Sequence, residues 1–433
     1  MVASLKLTKL PVNVAAKECR IALVGFGTVG RSVARILSAR PPKGLRLTHV
    51  YNRNVERKRV GWVHEHVNWT QEFEDVLNSD ADVVVELVGG LDPAEQWVRR
   101  ALQSGKSVVT ANKQLIARKG PELLKLARQH GQHLVYGASV AGGIPVLSGL
   151  QEGLAGDHIL KIAGILNGTC NFILSQIENQ HMPFAEALEQ AQAQGFAEAN
   201  ASEDIDGFDA RAKLAILSRT ALHVNVWPEQ ITTHGIREVE EIDFDYAHDL
   251  GCTIRQISRA ELHEETLFGG VGPSLVAQSS PLARVSGSQN LVVSTGEFGG
   301  ETVFSGFGAG GDPTAVAVVS DLVWVARNRH NGTYAYDVGS ARELQVSSDF
   351  ETRHYVRFKV ADKPGILAAL ANVFSRHEIN VDAVLQRPGH AKSELPFVVT
   401  LEPCRTQKVQ EALGEIRKLD FHVAAPVEMP LLG

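Results

Sequence analysis

From Arg20 to about Tyr136 short apolar runs alternate with stretches of helical periodicity, in the order RIALVGF, TVGRSVARILSA, RLTHVY, ADVVVEL, AEQWVRRALQSG, SVVTA, PELLKLARQHG and HLVYG. Strand and helix alternation of this sort implies βαβ units and a parallel sheet. From Ala138 to Glu301 the pattern is more mixed. Amphipathic stretches such as FAEALEQAQAQ and FDARAKLAILSRTAL stand beside strand-like ILKIAGIL and QNLVVSTGEF, which predicts a separate α+β layer. Near Ala326 to Glu351 comes a polar, weakly periodic stretch, RNRHNGTYAYDVGSARELQVSSDFE, too long for a loop inside one compact domain and read as a linker. The remainder reads as strand (HYVRFKV), turn (ADKPG), helix (ILAALANVFSRH), strand (INVDAVLQ), strand (LPFVVTLE), helix (TQKVQEALGEIRK) and strand (FHVAAPVEM). That βαββαβ order predicts a ferredoxin-like unit folding on its own.

The length, 433 residues, suits about three domains. Hydrophobic residues at 44% and charged residues at 21% exclude disorder as the main state. Lys plus Arg total 43 against 49 Asp plus Glu, a net charge of −6, so there is no basic excess to meet a nucleic-acid backbone. Cys19, Cys170, Cys252 and Cys404 are scattered without a CxxC, which fits a reducing compartment. MVASLKLTKLPVNVAAKECR has lysines and no apolar core of the kind a secretory signal needs, and no apolar run is long enough to span a bilayer. The expectation is a soluble, cytoplasmic protein with neither nucleic acid nor membrane as partner.

Gly25-Phe26-Gly27-Thr28-Val29-Gly30 follows a predicted strand and opens a predicted helix. In that context the first glycine allows a tight turn, the second lets backbone approach a pyrophosphate, and the third lets helix pack on strand, with the phosphates at the helix N-terminus. The segment predicts a dinucleotide site of Rossmann type. The next strand, RLTHVY, would end in Asp or Glu if it held the ribose 2′-hydroxyl of NAD, but it runs into Asn52, Arg53 and Asn54, with Arg57 and Lys58 close behind. An arginine there can pair with a 2′-phosphate, so NADP is favoured while NAD use stays open.

Asp209 and Lys213 lie four apart in FDARAKLAIL, on one helix face. A carboxylate and an amine held together can position a substrate alcohol and move its proton, although the same spacing also describes a plain surface ion pair. Upstream, Glu198, Glu203, Asp204 and Asp206 crowd an acidic segment suited to a substrate ammonium group. Ala111-Asn112-Lys113 puts a second lysine just past a strand of the parallel sheet, where ligands gather beyond the carboxyl ends.

VVELVGG, GKSVVTANK, ASVAGGIPV, GILNGTCNFIL, GFAEANASEDIDGFDARAKLAIL and GFGAGGDPTAVAVVSDL follow one another over most of residues 20–325, and on these motifs the chain resembles the homoserine dehydrogenases. The resemblance implies NAD(P)-dependent interconversion of L-homoserine and L-aspartate 4-semialdehyde, a step toward threonine and methionine. It implies Lys213 as proton donor and acceptor at the substrate oxygen with Asp209 beside it, and Lys113 in contact with substrate and nicotinamide. Glu198 and Asp204 would hold the amino acid, with Gly168 and Thr169 lining the same pocket. Gly89 of VVELVGG and a returning glycine-rich segment, through Gly308 and Thr314, would meet the cofactor. The dinucleotide domain is then discontinuous, 20–148 plus 305–328, around a catalytic and dimerisation domain at 149–304, with a linker at 329–351. Neighbouring carboxylates would hold Lys213 charged for the reduction, and a neutral lysine must take the proton in the oxidation, so homoserine oxidation is expected to be favoured at alkaline pH.

Two departures from the family pattern stand out. The usual EADP reads Glu198-Ala199-Asn200-Ala201, and Gly137 stands where a glutamate is common ahead of ASV. The segment through Gly137, Val140, Gly142 and Ile144 is similar to the family's sodium site of backbone carbonyls, and a carbonyl remains at every residue. Residues 352–433, with Asp362-Lys363-Pro364-Gly365-Ile366-Leu367 at the first strand-to-helix turn, resemble an ACT domain, a module that commonly binds amino acids between copies. Pro and Gly there shape the turn and free N–H groups at a helix start, which suits a carboxylate. This implies feedback by threonine or another amino acid, with effector contacts at Asp362, Gly365, Leu367 and Asn380, and a homo-oligomer, dimer or tetramer. The histidine usual late in the third strand is absent near Thr400-Leu401.

His64-Glu65-His66 reads as a solvated connection, since no third metal ligand lies nearby, and Cys170 as a packing residue with no base to activate it. An aspartokinase fusion is not expected, because the resemblance begins about twenty residues into the chain. A non-catalytic amino-acid sensor would not need Lys113, Asp209 and Lys213 together, and another NADP-linked reductase would lack the NGT and DARAK segments.

Overall fold

The apolar runs of the first region become parallel strands because each is covered by helices on both faces. β1 (Cys19–Val24), buried along nearly its whole length, leads through the glycine turn into α1 (Thr28–Ala39) and returns as β2 (Leu45–Tyr51). There follow α2 (Val55–Lys58), β3 (Asn68–Thr70), α3 (Phe73–Asn78), β4 (Val83–Glu86), α4 (Ala94–Gln103), β5 (Ser107–Thr110), α5 (Lys113–Gln129) and β6 (Leu134–Val135). The strands form a six-stranded parallel sheet in the order β3-β2-β1-β4-β5-β6, a Rossmann-like arrangement. This computed structural model describes residues 18–330, 332–336 and 341–432, so the lysine-bearing N-terminal stretch and what was expected of it lie almost wholly outside the described residues.

α5 begins eight residues before the proline that opens PELLKLARQHG. Pro121 sits inside it, without an N–H to bond back along the helix. The carbonyls of Ile116 and Ala117 instead accept from the buried guanidinium of Arg219, at 3.0 and 3.2 Å, which lets the helix run through the proline to Lys113.

The second region comprises α6 (Val146–Ser148), a π-helical turn at Gly149–Gly153, β7 (Ile159–Ile165), α7 (Gly168–Gln180), α8 (Phe184–Ala193), α9 (Ser202–Ile205), α10 (Phe208–Ala221), β8 (Val224–Asn225), β9 (Thr232–Thr233) and α11 (Glu241–Asp249). Two long antiparallel hairpins follow, β10 (Cys252–His263) with β11 (Thr266–Ala277), and β12 (Gln289–Gly296) with β13 (Gly300–Phe307). α12 (Gly311–Asn328) then packs back on α1, where Asp312 accepts from Ser32 and Arg35, both at 2.6 Å. Beyond it, β14 (Arg342–Glu343) pairs with β8 and β15 (Gln345–Ser347) with β11, tying this polar stretch to the second region at both points.

The tail folds as β16 (Glu351–Val360), α13 (Ile366–Arg376), β17 (Val381–Leu385), β18 (Leu395–Arg405), α14 (Thr406–Ile416) and β19 (His422–Leu432), in the order β19-β16-β18-β17. Its helices cover a core of its own, with Phe358, Leu370, Phe374, Phe397 and Leu413. The end of β19 joins the free edge of β11, Leu431 opposite Leu275 and Leu432 opposite Val276, so both regions share an 11-stranded sheet. Tyr355, Val398 and Met429 of the tail also share a core with Phe172, Ile205, Val239 and Phe244. Among the described residues no helix is long and apolar enough to cross a membrane.

Candidate active site

Two helix starts and one strand end converge beside the carboxyl edge of the parallel sheet. Asn112 caps α5, accepting from Leu115 N at 3.1 Å and donating to Gly90 O at 2.6 Å, so Lys113 is the first helical residue after β5. Asp209 lies in the first turn of α10 and Lys213 one turn on. Lys113 Nζ lies 2.7 Å from Asp209 Oδ1, and Lys213 Nζ donates to Asp209 Oδ2 at 2.7 Å and to Leu166 O at 2.7 Å. Burial pushes the Asp209 carboxyl up, but Lys213 and Lys113 outweigh it and hold the group far below the usual carboxylate range. Asp209 in turn raises Lys113, against burial.

Asn167 caps α7 through its side-chain oxygen, which accepts from Cys170 N at 2.8 Å. Its amide donates to Asp209 Oδ2 at 2.8 Å and to Asp204 Oδ1 at 2.6 Å, joining the two acids. Burial raises Asp204 despite that bond. Thr169 is buried and donates to Phe196 O at 2.7 Å, and Gly168 opens α7 beside it. Cys170 is fully buried, its thiol directed at Asp204 O and pushed well up by burial. Glu198 is exposed on the loop after α8, where its carbonyl accepts from Gln192. The sequence reading did not single out Asn167 as the bridge between the acids, although an asparagine before a predicted helix is a capping signal.

Along the same carboxyl edge, just past β1, the glycine turn is tight. Gly25 has φ +106, and a Cβ on Gly30 would lie 2.1 Å from Gly25 O, so α1 sits directly against the turn. Thr28 and Val29 open α1, and the ring of Phe26 packs edge-on to Trp69 at 4.9 Å. A cleft of about 560 Å³ opens here, lined by Phe26, Gly27, Thr28, Arg31, Asn54, Arg57, Lys58 and Val60. Asn52 caps the turn after β2, accepting from Asn54 N at 2.9 Å, and Arg53 is exposed next to it without lining the cleft. Arg31, one turn into α1, went unnoticed in the sequence although its spacing from Gly27 sets it over the same turn. Gly89 follows β4, its N–H bonded to Glu86 Oε1 at 3.0 Å. Gly308 abuts the side chain of Asn290, and Thr314 is buried in the first turn of α12.

The segment after β6 makes a 3₁₀ turn at Gly137–Ser139 and then passes Ala141 and Gly142, both left-handed, to Ile144. Its Val140 and Ile144 are buried, and Gly143 N donates to Phe307 O at 3.2 Å. A Cβ on Gly137 would lie 2.6 Å from Asp321 Oδ1, so a carboxylate from α12 fills the volume where a side chain at 137 would stand. Burial pushes Asp321 up to about 7, against hydrogen bonds from the backbone of Ala138 and Gly137. Among the described residues no three His, Cys, Asp or Glu side chains could hold a metal ion, and His64 and His66 stack on each other. In the tail, Gly365 starts α13 with φ +94 and Leu367 is exposed. Asp362 lies 3.7 Å from Lys392, and Asn380 donates to Glu402 at 3.0 Å.

Three family models match the chain: homoserine dehydrogenase over residues 145–323, homoserine dehydrogenase NAD-binding domain over 25–137, and ACT domain over 354–421. A homoserine dehydrogenase of Mycobacterium tuberculosis is 41% identical over 384 residues, 86% of this chain and 87% of that protein. One of Bacillus subtilis is 37% identical over 393 residues, 88% of this chain and 91% of that protein. Among solved structures, a homoserine dehydrogenase from Thiobacillus denitrificans matches at TM-score 0.90 and 32% identity, covering 96% of this chain and 98% of that one. A hyperthermophilic archaeal homoserine dehydrogenase in complex with NADPH matches at TM-score 0.61 and 28% identity, covering 72% of this chain and 98% of that one.

Proposed function

Since the chain belongs to the homoserine dehydrogenase family of oxidoreductases, we propose that it interconverts L-homoserine and L-aspartate 4-semialdehyde with Lys213 moving the proton at the substrate oxygen. The observation that carries this reading is the Asp209 carboxylate, which holds Lys213 on one oxygen and Lys113 on the other, each at 2.7 Å.

The glycine turn and the cleft of Arg31, Arg57 and Lys58 fit a phosphorylated dinucleotide, with Gly25, Phe26, Gly27, Thr28, Val29 and Gly30 at its pyrophosphate end. When bound, the nicotinamide supplies or accepts the hydride. Three cationic side chains suit a 2′-phosphate, so NADP is the preferred form and the archaeal relative solved with NADPH is consistent with it. On this reading Gly89, Gly308 and Thr314 make further contacts with the cofactor between this cleft and Lys113.

Lys213 has three N–H donors as an ammonium, and Asp209 and Leu166 O take two. The third is free to reach a substrate oxygen and protonate a developing alkoxide. In the oxidation the neutral amine takes the hydroxyl proton. Lys113 orients the same oxygen beside the cofactor. Asp204, joined to Asp209 through Asn167, offers its other oxygen to the substrate ammonium, with Glu198 closing in from its exposed loop and Gly168 and Thr169 forming the floor.

The ACT domain supports amino-acid feedback, by threonine or a related product, at Asp362, Gly365, Leu367 and Asn380. On this reading the enzyme is a cytoplasmic homo-oligomer on the route to threonine and methionine. Backbone carbonyls at Gly137, Val140, Gly142 and Ile144 would hold a sodium ion. The test is homoserine-dependent reduction of NADP and of NAD by the purified chain, with and without threonine. Turnover with NADP that threonine suppresses supports the whole reading, suppression by no amino acid removes the feedback, and no turnover with either cofactor removes the enzyme.

A further inference from the structure

The strap between β9 and α11 runs from the acidic helix α9 to the ACT sheet and is held at both ends. At the α9 end Ile236 N donates to Ile205 O at 3.0 Å, and Arg237 Nε donates to Asp206 Oδ1 at 2.9 Å. At the other end Arg357 of β16, 3% exposed, grips the strap at two points and the first turn of α11 at a third. Its Nη2 donates to Glu238 O at 2.7 Å, its Nη1 to Glu240 Oε1 at 2.7 Å, and its Nε lies 2.8 Å from Asp243 Oδ1. Lys359, on the same strand, donates to Glu240 Oε2 at 2.6 Å, and Tyr355 OH to Asp243 Oδ1 at 2.7 Å. Ile236 and Val239 are buried between these ends in the core that Ile205 shares with Tyr355 and Val398.

We propose that Arg237 and Arg357 are positioning residues for the substrate-binding acid Asp204, acting through the strap 236–240, so that the ACT sheet sets the enzyme's grip on homoserine. α9 has only four residues, too short to hold its own place, and it is tied to the site by the bond from Asn167 to Asp204 Oδ1 and by the Cys170 thiol at Asp204 O. The strap supplies what the helix lacks. Arg357 is fully desolvated and loses its partners if the strap moves, so a displacement of β16 is passed on rather than absorbed. By linkage, an effector that shifts β16 changes homoserine affinity, and homoserine changes effector affinity by the same factor.

The proposal rests on the reading of Asp204 as a substrate contact, and its test has two arms. In the kinetic arm Arg237→Gln raises KM for homoserine about threefold, the range an exposed ion pair supplies, with kcat and the KM for NADP unchanged within about twofold. Arg237→Lys restores most of it. Arg357→Met raises the homoserine KM further, and the double variant falls short of the product of the two effects because both act on one strap. If Arg357→Met does not fold, Glu240→Gln, which removes the charge held by Arg357 and Lys359, takes its place. In the second arm, hydrogen exchange of the intact chain without substrate speeds up at amides 202–207 in Arg237→Gln and in the β16-side variant. Unchanged homoserine KM together with unchanged exchange at 202–207 overturns the proposal. Faster exchange with unchanged KM keeps the strap but removes Asp204 from the substrate. If the wild-type chain turns over no homoserine, the catalytic reading fails, and the exchange arm still decides the strap.

Discussion

Asp209 and Lys213 stand one turn apart on α10 with carboxylate and ammonium 2.7 Å apart, the carboxylate almost wholly buried. An exposed i, i+4 pair of this kind contributes a few tenths of a kcal/mol, and nothing in its spacing asks for function. Here the same carboxylate also takes Lys113 from a different domain and the amide of Asn167. Two cations and a polar amide gathered on one desolvated carboxylate form a poised site, since burial of that kind is retained only where its partners are.

The proposed preference for NADP rests on the cleft beside the glycine turn. Replacing Arg57 and Lys58 together by Ala should raise KM for NADP roughly tenfold or more, the worth of one lost charge-assisted contact, while KM for NAD changes little. Initial rates with each cofactor check it, and equal losses for both would remove the 2′-phosphate from this cleft.

Gly137 and Asp321 make a second prediction. Gly137→Ala should destabilise the fold by about 1 to 3 kcal/mol, because its Cβ would meet Asp321 Oδ1 at 2.6 Å and Tyr336 OH at 3.1 Å. Adding Asp321→Ala should return part of that loss. Urea unfolding of the three variants measures it, and a Gly137→Ala protein as stable as the parent contradicts the packing.

The tail carries a pH-dependent contribution. His354 is fully buried, and although burial alone lowers it, the side chain of Cys404 and the carboxylate of Glu428 at 2.7 Å raise it to about 9. Its folded value lies above the usual 6.5, so its contribution is complete below pH 6.5 and is lost as pH rises through about 9. The shift corresponds to roughly 3 kcal/mol. His354→Gln should flatten the decline of stability between pH 6.5 and 9 in denaturant titrations, and an unchanged slope would place the decline elsewhere.

Much of this architecture is legible in the sequence because it is local. The strands of the first sheet read as apolar runs since helices bury both faces, and the βαββαβ tail shows its own periodicities. Asp209 and Lys213 are visible through helical spacing, and Lys113 through its place after a strand. What escapes is set by contacts distant in sequence. Nothing near Gly137 announces Asp321, 184 residues on, and nothing near Leu431 announces Leu275. The helical stretch PELLKLARQHG shows only the later part of α5, because the donor that lets the helix run through Pro121, Arg219, comes from another helix. Arg53 drew attention by position, while the cleft is walled by Arg31, Arg57 and Lys58, whose directions depend on how α1 and α2 sit on the sheet.

Lys213 is proposed to move the proton at the substrate oxygen. The most direct measurement is homoserine oxidation with NADP from pH 7 to pH 10, for the wild-type chain and for Lys213→Ala. The wild-type rate is expected to climb with pH, as a neutral amine is required, and the variant to lose about 10² to 10⁴ in kcat with its pH dependence abolished. A flat wild-type profile, or a variant that keeps both rate and profile, contradicts that role.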